Sequence, residues 1–251
     1  MPVKRSQSAS RVLAVLEGIA RHQPVGVSDL ARLLDSDKSA LQRAIMTLAD
    51  AGWIGNASGT SGKWQLTAHI LAVAHMGAAS NDLRQRARGA LEALRDASGE
   101  TVLLIVPEIR RFVVIDALES RHMLRTVPRI GLSVPVRGSA TSRAVLPYMR
   151  REQQIEFLGK APDARLLADF AATLKCGYSI SVGGVVDGST NIAAPILEMD
   201  GHPVGAVVVS GPSERLTAAR HRKIGDMVLQ TARGLSRGAH DTASRSNGTR
   251  R

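Results

Sequence analysis

The chain has 251 residues, which exceeds one typical domain and suits two domains that each bury a core. Its formal net charge of +11, from 33 Lys and Arg residues against 22 Asp and Glu residues, favours a polyanionic partner. No apolar run approaches the ~20 residues that span a bilayer, and the first residues do not form a signal-peptide core, so we expect a cytoplasmic protein without a membrane partner.

A helix is the first predicted element. Ser8 or Ser10 can act as its N-cap, and the helix ends near His22. Its core face consists of apolar residues at helical spacing, namely Val12, Leu13, Val15, Leu16 and Ile19. We expect this helix to support the motif that follows it.

Two short amphipathic helices joined by a tight polar turn are predicted between Val27 and Ile54. Ser28 is a good N-cap for the first, and the segment from Asp35 to Asp37 breaks the helix and restarts it. The second helix buries Leu41, Ile45 and Leu48, and its outer face carries polar residues near its N-terminal end: Lys38, Ser39, Gln42 and Arg43. This pattern is typical of a helix-turn-helix that reads double-stranded DNA. An ordinary solvated helix face is the alternative interpretation of these residues taken alone.

A hairpin is predicted after the second helix. Trp53-Ile54 and the segment from Lys63 to Leu66 resemble strands, and the Gly- and Ser-rich segment between them resembles a turn. A helix-turn-helix followed by a hairpin is a winged helix. We predict that Arg43 and Gln42 read base edges, because Arg can bond guanine and Gln can bond adenine through two hydrogen bonds. The predicted phosphate contacts are Ser28, Lys38, Ser39 and Lys63.

An apolar segment from Thr67 to Gly77 is predicted as a helix, and Asn81-Asp82 is predicted to cap a further helix that ends near Ser98. We place the linker between the two domains at residues 67–81. Because the first of these helices is too apolar to stand alone in water, it is expected to pack against a partner chain or the adjoining domain. The segment therefore indicates a homodimer.

The remaining sequence alternates between strand-like and helical segments. Predicted strands cover residues 101–106, 112–117, 122–127, 179–182, 191–197 and 203–210, and predicted helices cover 139–149, 163–175 and 217–236. These elements predict an α+β domain over residues 82–236, in which helices flank a central antiparallel sheet. Residues 237–251 are basic and have almost no large apolar side chains, so we expect a disordered tail.

Signals for catalysis and cofactors are missing from the sequence. The His and Cys residues do not have the spacing of a metal site, and neither a glycine-rich phosphate loop nor a Gly-x-Ser-x-Gly elbow occurs. We therefore expect no catalytic residue, no metal and no cofactor. An enzyme that uses Ser139 or Ser210 as nucleophile is the alternative from another class, although no base or orienting acid lies beside either residue in the sequence.

Several short motifs occur in order along the chain. They are Leu30-Ala31-Arg32-Leu33-Leu34, Lys38-Ser39-Ala40-Leu41-Gln42-Arg43, Gly99-Glu100-Thr101-Val102, Pro135-Val136-Arg137-Gly138-Ser139-Ala140, Ala193-Ala194-Pro195-Ile196, and Val207-Val208-Val209-Ser210-Gly211-Pro212 before Arg215-Leu216-Thr217. Through them the chain resembles the IclR family of bacterial transcriptional regulators from about Ser8 to Ser236. The resemblance implies a winged helix-turn-helix over residues 1–66, a linker helix over 67–81, and a GAF-like α/β effector-binding domain over 82–236.

The resemblance also implies a C-terminal pocket for a small organic-acid or aromatic effector, between the sheet and its surrounding loops. The implied ligand-binding residues are Gly138, Ser139, Ala140, Thr141, Val182, Asn191 and Ser210. Backbone N–H groups of residues 138–140 could hold a carboxylate at a helix start. For Ser139 a role as helix N-cap is the alternative, and one hydroxyl could serve both purposes.

This chain departs from the family pattern around the implied pocket. Residues 181–188 are mainly apolar where the family has acidic residues, and Asn191 stands where a cysteine is frequent. We therefore expect a neutral or anionic ligand with a flat apolar body.

The expected function is that of a sequence-specific regulator, a repressor in the preferred interpretation, whose operator affinity changes when the effector binds. Its homodimers, which in this family can pair into dimers of dimers, would read a roughly palindromic operator. The main alternative is a non-specific architectural DNA-binding protein that has no ligand.

Overall fold

The computed structural model describes residues 6–76 and 78–246, with side chains described over 6–74 and 82–236. The chain divides into two compact units, residues 1–78 and 79–251. The first unit has one apolar core, and the second has two that lie on opposite faces of its sheet. The boundary between the units falls within the segment predicted as linker.

The first unit has the winged-helix architecture that the sequence predicts. Its elements are α1 (Gln7–His22), β1 (Val25–Gly26), α2 (Val27–Leu33), α3 (Lys38–Asp50), β2 (Ile54–Asn56), β3 (Lys63–Leu66) and α4 (His69–Met76). The strands form an antiparallel sheet in the order β1-β3-β2. Its core is built from residues on the inner faces of the helices, including the fully buried Ile19, Leu30 and Leu41.

Two predicted helix starts in the first unit are wrong. Helix α1 begins earlier than Ser8 because the hydroxyl of Ser6 accepts a hydrogen bond from the backbone N–H of Ala9 and caps it. Helix α2 begins at Val27, directly after Gly26, so Ser28 lies inside the helix and is not its N-cap. Pairing of β1 with β3 keeps Gly26 extended until the helix starts. By contrast, Asp37 restarts the chain as α3, as predicted.

The second unit contains a sheet and the helices that cover it. Its elements are α5 (Ala78–Ser98), β4 (Thr101–Glu108), β5 (Arg111–Leu118), β6 (Ser133–Val134), α6 (Ala140–Val145), α7 (Arg151–Leu158), α8 (Ala164–Cys176), β7 (Ser179–Val182), β8 (Ser189–Leu197), β9 (Pro203–Pro212) and α9 (Ala218–Ser246). The six strands pair antiparallel throughout, in the order β6-β5-β4-β9-β8-β7. An α+β unit with a central antiparallel sheet is therefore confirmed.

Both faces of this sheet are covered by apolar side chains. Because side chains alternate along a strand, Val102 and Leu104 of β4 point to one face and pack with residues of α5 and α9. Leu103 and Ile105 point to the other face, where the core also includes residues of α6 and α8. Residues with the same orientation meet across strands, since Leu103 pairs with Val208. The position of a residue along its strand thus determines the core to which it contributes.

Two buried carboxylates form ion pairs that connect the sheet to the segments packed against it. Glu100, which precedes β4, forms two hydrogen bonds of 2.7 Å with the guanidinium of Arg215 in the segment before α9. Asp116 of β5 accepts hydrogen bonds from Arg88 of α5. Removal of Arg215 would leave the buried charge of Glu100 without its guanidinium partner, which is strongly destabilising. Asp116 keeps a second arginine, Arg84, at 3.6 Å.

The predicted strand over residues 122–127 is absent, and the segment has an irregular conformation instead. Its polar groups bond to side chains rather than to a neighbouring strand: the Thr126 carbonyl accepts a hydrogen bond from the Thr101 hydroxyl, and the Arg125 guanidinium pairs with Glu119. The short strand β6 after it pairs with β5 and was not predicted.

Several helix boundaries in the second unit also differ from the prediction. Helix α5 begins at Ala78, so Asn81 and Asp82 lie inside it and do not cap it. Helix α6 ends at Val145 and is followed by a 3-10 turn that contains Pro147, because proline has no N–H with which to continue an α-helix. Helix α7 was missed. Helix α9 continues to Ser246, into the predicted disordered tail, while residues 247–251 and Gly77 lie outside the described residues.

Leu41→Ala should lower the free energy of unfolding of the first unit by about 2–5 kcal/mol, because the truncation leaves a cavity at a fully buried position. Both tryptophans, Trp53 and Trp64, pack against this core, so tryptophan fluorescence during a urea titration reports on this unit. Met46→Ala is the matched control, since Met46 lies on the same helix and is 47% exposed. Its effect should stay within about 0.5 kcal/mol. Equal shifts of the two midpoints would contradict the assigned core.

Candidate functional site

Four of the predicted DNA-contacting residues are exposed in the N-terminal half of α3: Lys38, Ser39, Gln42 and Arg43. This group is called the α3 face. The opposite side of the helix is buried, through residues such as Leu41 and Ile45. Among the residues that the structure describes, no carboxylate forms an ion pair with Lys38 or Arg43. Their charged groups are therefore available to an external anion.

Ser39 is the member of the α3 face whose side chain is already engaged. Its hydroxyl donates a 2.6 Å hydrogen bond to Oδ2 of Asp37, which also accepts a hydrogen bond from the backbone N–H of Ala40. The Ser39 hydrogen bond, followed by that from Ala40, holds the pKa of Asp37 below its ordinary value. Asp37 is thus an ionised N-cap at neutral pH, and Ser39 stabilises the start of the helix.

The other two predicted phosphate contacts lie on neighbouring elements of the first unit. Ser28 is exposed on α2, and Lys63 is exposed at the start of β3, in the predicted wing. Ser28 is therefore free to contact a phosphate even though it does not cap its helix. The chemistry of the surface suits DNA, because Arg and Gln side chains can each form two hydrogen bonds to a base edge while Lys and Ser bind phosphate oxygens.

The second unit contains a cavity of about 410 Å³ against the face of the sheet that carries α6 and α8. We call it the sheet cavity. Its floor is formed by apolar side chains of three strands: Leu103, Ile105, Val114 and Val208. Two irregular segments complete its walls, residues 124–128 and residues 185–189. Such an apolar floor suits a flat hydrocarbon body.

Five of the seven predicted ligand-binding residues line the sheet cavity: Ser139, Ala140, Thr141, Asn191 and Ser210. The Ser139 hydroxyl accepts a hydrogen bond from the backbone N–H of Ser142, so it caps α6. The Ser210 hydroxyl donates to the Thr126 hydroxyl at 3.3 Å. Among the described residues, the side chains of Thr141 and Asn191 have no hydrogen-bond partner, which leaves them available to a ligand.

Gly138 and Val182, by contrast, do not line the sheet cavity. They line a separate cavity of about 450 Å³, which we call the side cavity, together with residues of 136–143, 158–169 and Gly184. The Gly138 carbonyl accepts hydrogen bonds from Ser181 and Arg143, which directs this peptide away from the sheet cavity. Val182 lies on the edge strand β7 and is 60% exposed.

The wall between the two cavities depends on a close approach of two glycine backbones. A Cβ on Gly138 would meet the carbonyl oxygen of Gly184 far inside van der Waals distance, and a Cβ on Gly184 would meet both the Gly138 carbonyl and the Ser181 hydroxyl. Gly138 also has φ +80°, a conformation that other residues rarely adopt. These glycines fix the position of the 183–188 loop, part of which closes the sheet cavity.

Sequence reasoning missed Arg125, the cationic residue of the sheet-cavity lining, as well as the apolar floor. Its guanidinium Nε donates to Oε2 of Glu119 at 2.7 Å, and its Nη1 donates to the His122 carbonyl. Sequence reasoning assigned this segment to a strand, and no local pattern marks a basic residue as part of a cavity that loops complete. Asp187 is the acidic residue of the lining, so the cavity carries one charged group of each sign.

The two serines considered as nucleophiles have neither a histidine nor a carboxylate partner among the described residues. The Ser139 and Ser210 hydroxyls bond to a backbone N–H and to a threonine hydroxyl, not to a histidine or a carboxylate. No group of three or more His, Cys, Asp or Glu side chains in the described ranges could hold a metal ion. No described helix is long and apolar enough to cross a membrane.

The chain is similar over nearly all of its length to known regulators. Residues 8–56 match the family described as IclR helix-turn-helix domain, and residues 75–237 match the family described as bacterial transcriptional regulator IclR C-terminal. The transcriptional repressor IclR of Escherichia coli K12 is 28% identical over 244 residues, which covers 92% of this chain and 89% of the repressor. The HTH-type transcriptional repressor AllR of the same strain is 28% identical over 248 residues, which covers 93% and 90% of the two chains.

A solved structure shares the fold. It is that of an IclR homologue from Microbacterium hydrocarbonoxydans in complex with 4-hydroxybenzoate, with a TM-score of 0.77, 22% identity, and coverage of 92% of this chain and 98% of that one. At this level of identity the likeness concerns the fold.

Gly138→Ala should destabilise the second unit by about 1–3 kcal/mol beyond the cost of a strained φ, because the added methyl group overlaps the Gly184 carbonyl. Gly188→Ala is the matched control: Gly188 also has a positive φ, +72°, but a Cβ there meets nothing within 4 Å. Thermal unfolding followed by far-UV circular dichroism measures the difference, and hydrogen exchange should show faster opening of the 183–188 loop in Gly138→Ala alone. Equal stability of the two variants would refute the assigned contact.

Proposed function

The chain belongs to the IclR family of bacterial transcriptional regulators, and we propose that it is a sequence-specific repressor whose operator affinity changes when a small organic acid or aromatic compound binds in the sheet cavity. The observation that carries the DNA-binding part is the α3 face, where Lys38, Gln42 and Arg43 are exposed on a helix whose opposite side is buried. As a DNA-binding regulator it would act in the cytoplasm.

Recognition of the operator is assigned to the α3 face. In a winged helix-turn-helix the second helix of the motif enters the major groove with its N-terminal residues near base edges. Arg43 and Gln42 would read bases there. Ser28 and Lys38 would contact phosphates, and Lys63 would contact one from the wing. Ser39 would contact a phosphate once its hydroxyl proton turns from Asp37 to a phosphate oxygen.

A homodimer would present two such helices to one duplex. Helix α4 supports this proposal, since Leu71 is 64% exposed and Val73 is 38% exposed in the described chain, and apolar surface of this kind is commonly covered by a partner. Half-sites should then lie about one helical turn, ~10 bp, or a multiple of it apart. Pairing of two dimers into a tetramer is consistent with the same scheme.

The chemistry of the sheet cavity favours a carboxylate with an apolar body. The floor would hold the body against Leu103, Val114 and Val208, and Arg125 would pair with the carboxylate through the guanidinium nitrogens that face away from Glu119. Thr141 and Asn191 would supply neutral hydrogen bonds. A relative of the same fold is bound to 4-hydroxybenzoate, a molecule with these two features, which supports the proposed class.

Coupling between effector and operator follows from linkage. A ligand that binds one arrangement of the dimer better than another, typically by ~1–3 kcal/mol, changes DNA affinity by the same coupling free energy. We assign transmission to residues 67–81, which join the two units. Measured linkage between effector binding and DNA affinity tests this assignment.

Arg43→Ala should weaken binding to the operator by about 1–3 kcal/mol while leaving binding to random DNA nearly unchanged, because Arg43 would lose hydrogen bonds to a specific base. Lys63→Ala is the contrasting variant: it should weaken both duplexes alike and reduce the dependence of log K on log salt by about one phosphate contact. Fluorescence anisotropy at several salt concentrations measures both. Equal losses on specific and random DNA for Arg43→Ala would eliminate its base-reading role.

Arg125→Gln should weaken binding of an aromatic carboxylate such as 4-hydroxybenzoate by about tenfold or more, because the charge-assisted hydrogen bond is lost. The neutral analogue 4-hydroxybenzamide should lose less than about threefold, because it does not pair with the guanidinium charge. Isothermal titration calorimetry gives both affinities. The same loss for the amide as for the carboxylate would assign Arg125 a structural role through Glu119 instead.

A further inference from the structure

The side cavity has a composition different from that of the sheet cavity. It lies between residues 136–143 at the start of α6, the 158–163 turn that follows α7, the first half of α8, and the end of β7. Apolar side chains, including Val136, Leu158 and Leu166, form part of its lining. The rest of the lining is dominated by charged groups, and its volume of about 450 Å³ is within the range of small-molecule sites.

Positive charge predominates in this cavity. Its lining contains four cationic side chains, Arg137, Arg143, Lys160 and Arg165, against two carboxylates, Asp163 and Asp169. Both carboxylates are engaged: Asp163 caps α8 by accepting a hydrogen bond from the backbone N–H of Leu166, and Asp169 lies 3.7 Å from Nε of Arg143. With both carboxylates counted against the four cations, the lining carries two net positive charges.

Arg137, Lys160 and Arg165 are exposed, and within the described ranges none of them has a carboxylate within 4 Å. Arg137 makes only a 3.4 Å hydrogen bond to the Leu158 carbonyl, which leaves its charge uncompensated. Three like charges that line one cavity repel one another, and an anion that binds among them relieves this repulsion.

Arg143 differs from the other cations because it is fixed. Its Nη1 donates to the Ile180 carbonyl at 2.9 Å, and its Nη2 donates to the Gly138 carbonyl at 3.2 Å. The guanidinium thus joins α6 to β7 and also holds Gly138, the residue that contacts Gly184. The base of the cavity is therefore preorganised, while the exposed cationic side chains lie around it.

We propose that the side cavity is a second ligand-binding site, specific for a small dianion such as a phosphorylated or dicarboxylate metabolite with a compact apolar part. Two net positive charges match a dianion, and arginine binds phosphate and carboxylate oxygens through paired N–H groups. The apolar lining selects against a fully hydrated inorganic ion. Since Gly184 lines this cavity while residues 185–189 line the sheet cavity, the two sites share one loop.

Calorimetric titration of the full-length chain with phenyl phosphate and with inorganic pyrophosphate, at constant ionic strength, tests this inference without involving DNA. Saturable binding is expected for both probes, with tighter binding of phenyl phosphate. The double variant Lys160→Gln, Arg165→Gln should raise the Kd of phenyl phosphate by about tenfold or more. The double variant Arg222→Gln, Lys223→Gln removes the same charge from exposed residues of α9 and should change the Kd less than about twofold.

Three outcomes would overturn the proposal. Equal weakening by the two double variants would indicate general attraction to a cationic protein. Weakening by Arg125→Gln, with no effect of Lys160→Gln, Arg165→Gln, would place the dianion in the sheet cavity. Absence of saturable binding of both probes to the wild-type chain would remove the site. The unfolding midpoints of all variants should equal that of the wild type. The binding measurements do not depend on whether the chain represses transcription.

Discussion

The requirement that both faces of the six-stranded sheet be buried determines where a ligand can bind. On one face, the long helices α5 and α9 supply a continuous apolar cover. On the other face, α6 is short because Pro147 follows it, so α6 and α8 cover only part of the strands. Irregular segments close the remainder and leave a cavity over Leu103 and Val208. The proposed ligand site therefore lies over the part of this sheet face that α6 and α8 leave uncovered, and irregular segments form much of its wall.

The first unit follows a simpler rule, in which burial of one helix face exposes the other. Leu41 and Ile45 enter the core, so Gln42 and Arg43 must face outward, as helical periodicity alone requires. The ionised Asp37 fixes where this helix starts and thereby which residues occupy its first turn. The proposed recognition of DNA by α3 thus depends on the Asp37 cap and on the burial of Leu41 and Ile45, which all lie within one short segment.

The helix face of α3 depends on local periodicity, whereas the sheet cavity depends on distant segments. This contrast explains which features the sequence predicts. Periodic helices and strands, the winged-helix order and the antiparallel sheet were predicted correctly because they depend on local patterns. Residues 122–127 were wrongly assigned to a strand, since their hydrogen bonds go to distant side chains such as Thr101. Arg125 was missed for the same reason. The resemblance assigns Gly138 and Val182 to the same pocket as Ser139, but both line the side cavity: Gly138 contacts Gly184, and Val182 is exposed on the edge strand β7.

The most direct test of the central claim is fluorescence anisotropy with the DNA upstream of the chain's own gene and a scrambled duplex of the same composition, each titrated with and without aromatic and aliphatic carboxylates. A ligand-responsive regulator should prefer the native duplex strongly, by about 10³-fold or more at physiological salt, and one class of carboxylate should change that preference. Equal, salt-sensitive affinity for both duplexes that no carboxylate alters would contradict the account and favour non-specific architectural binding.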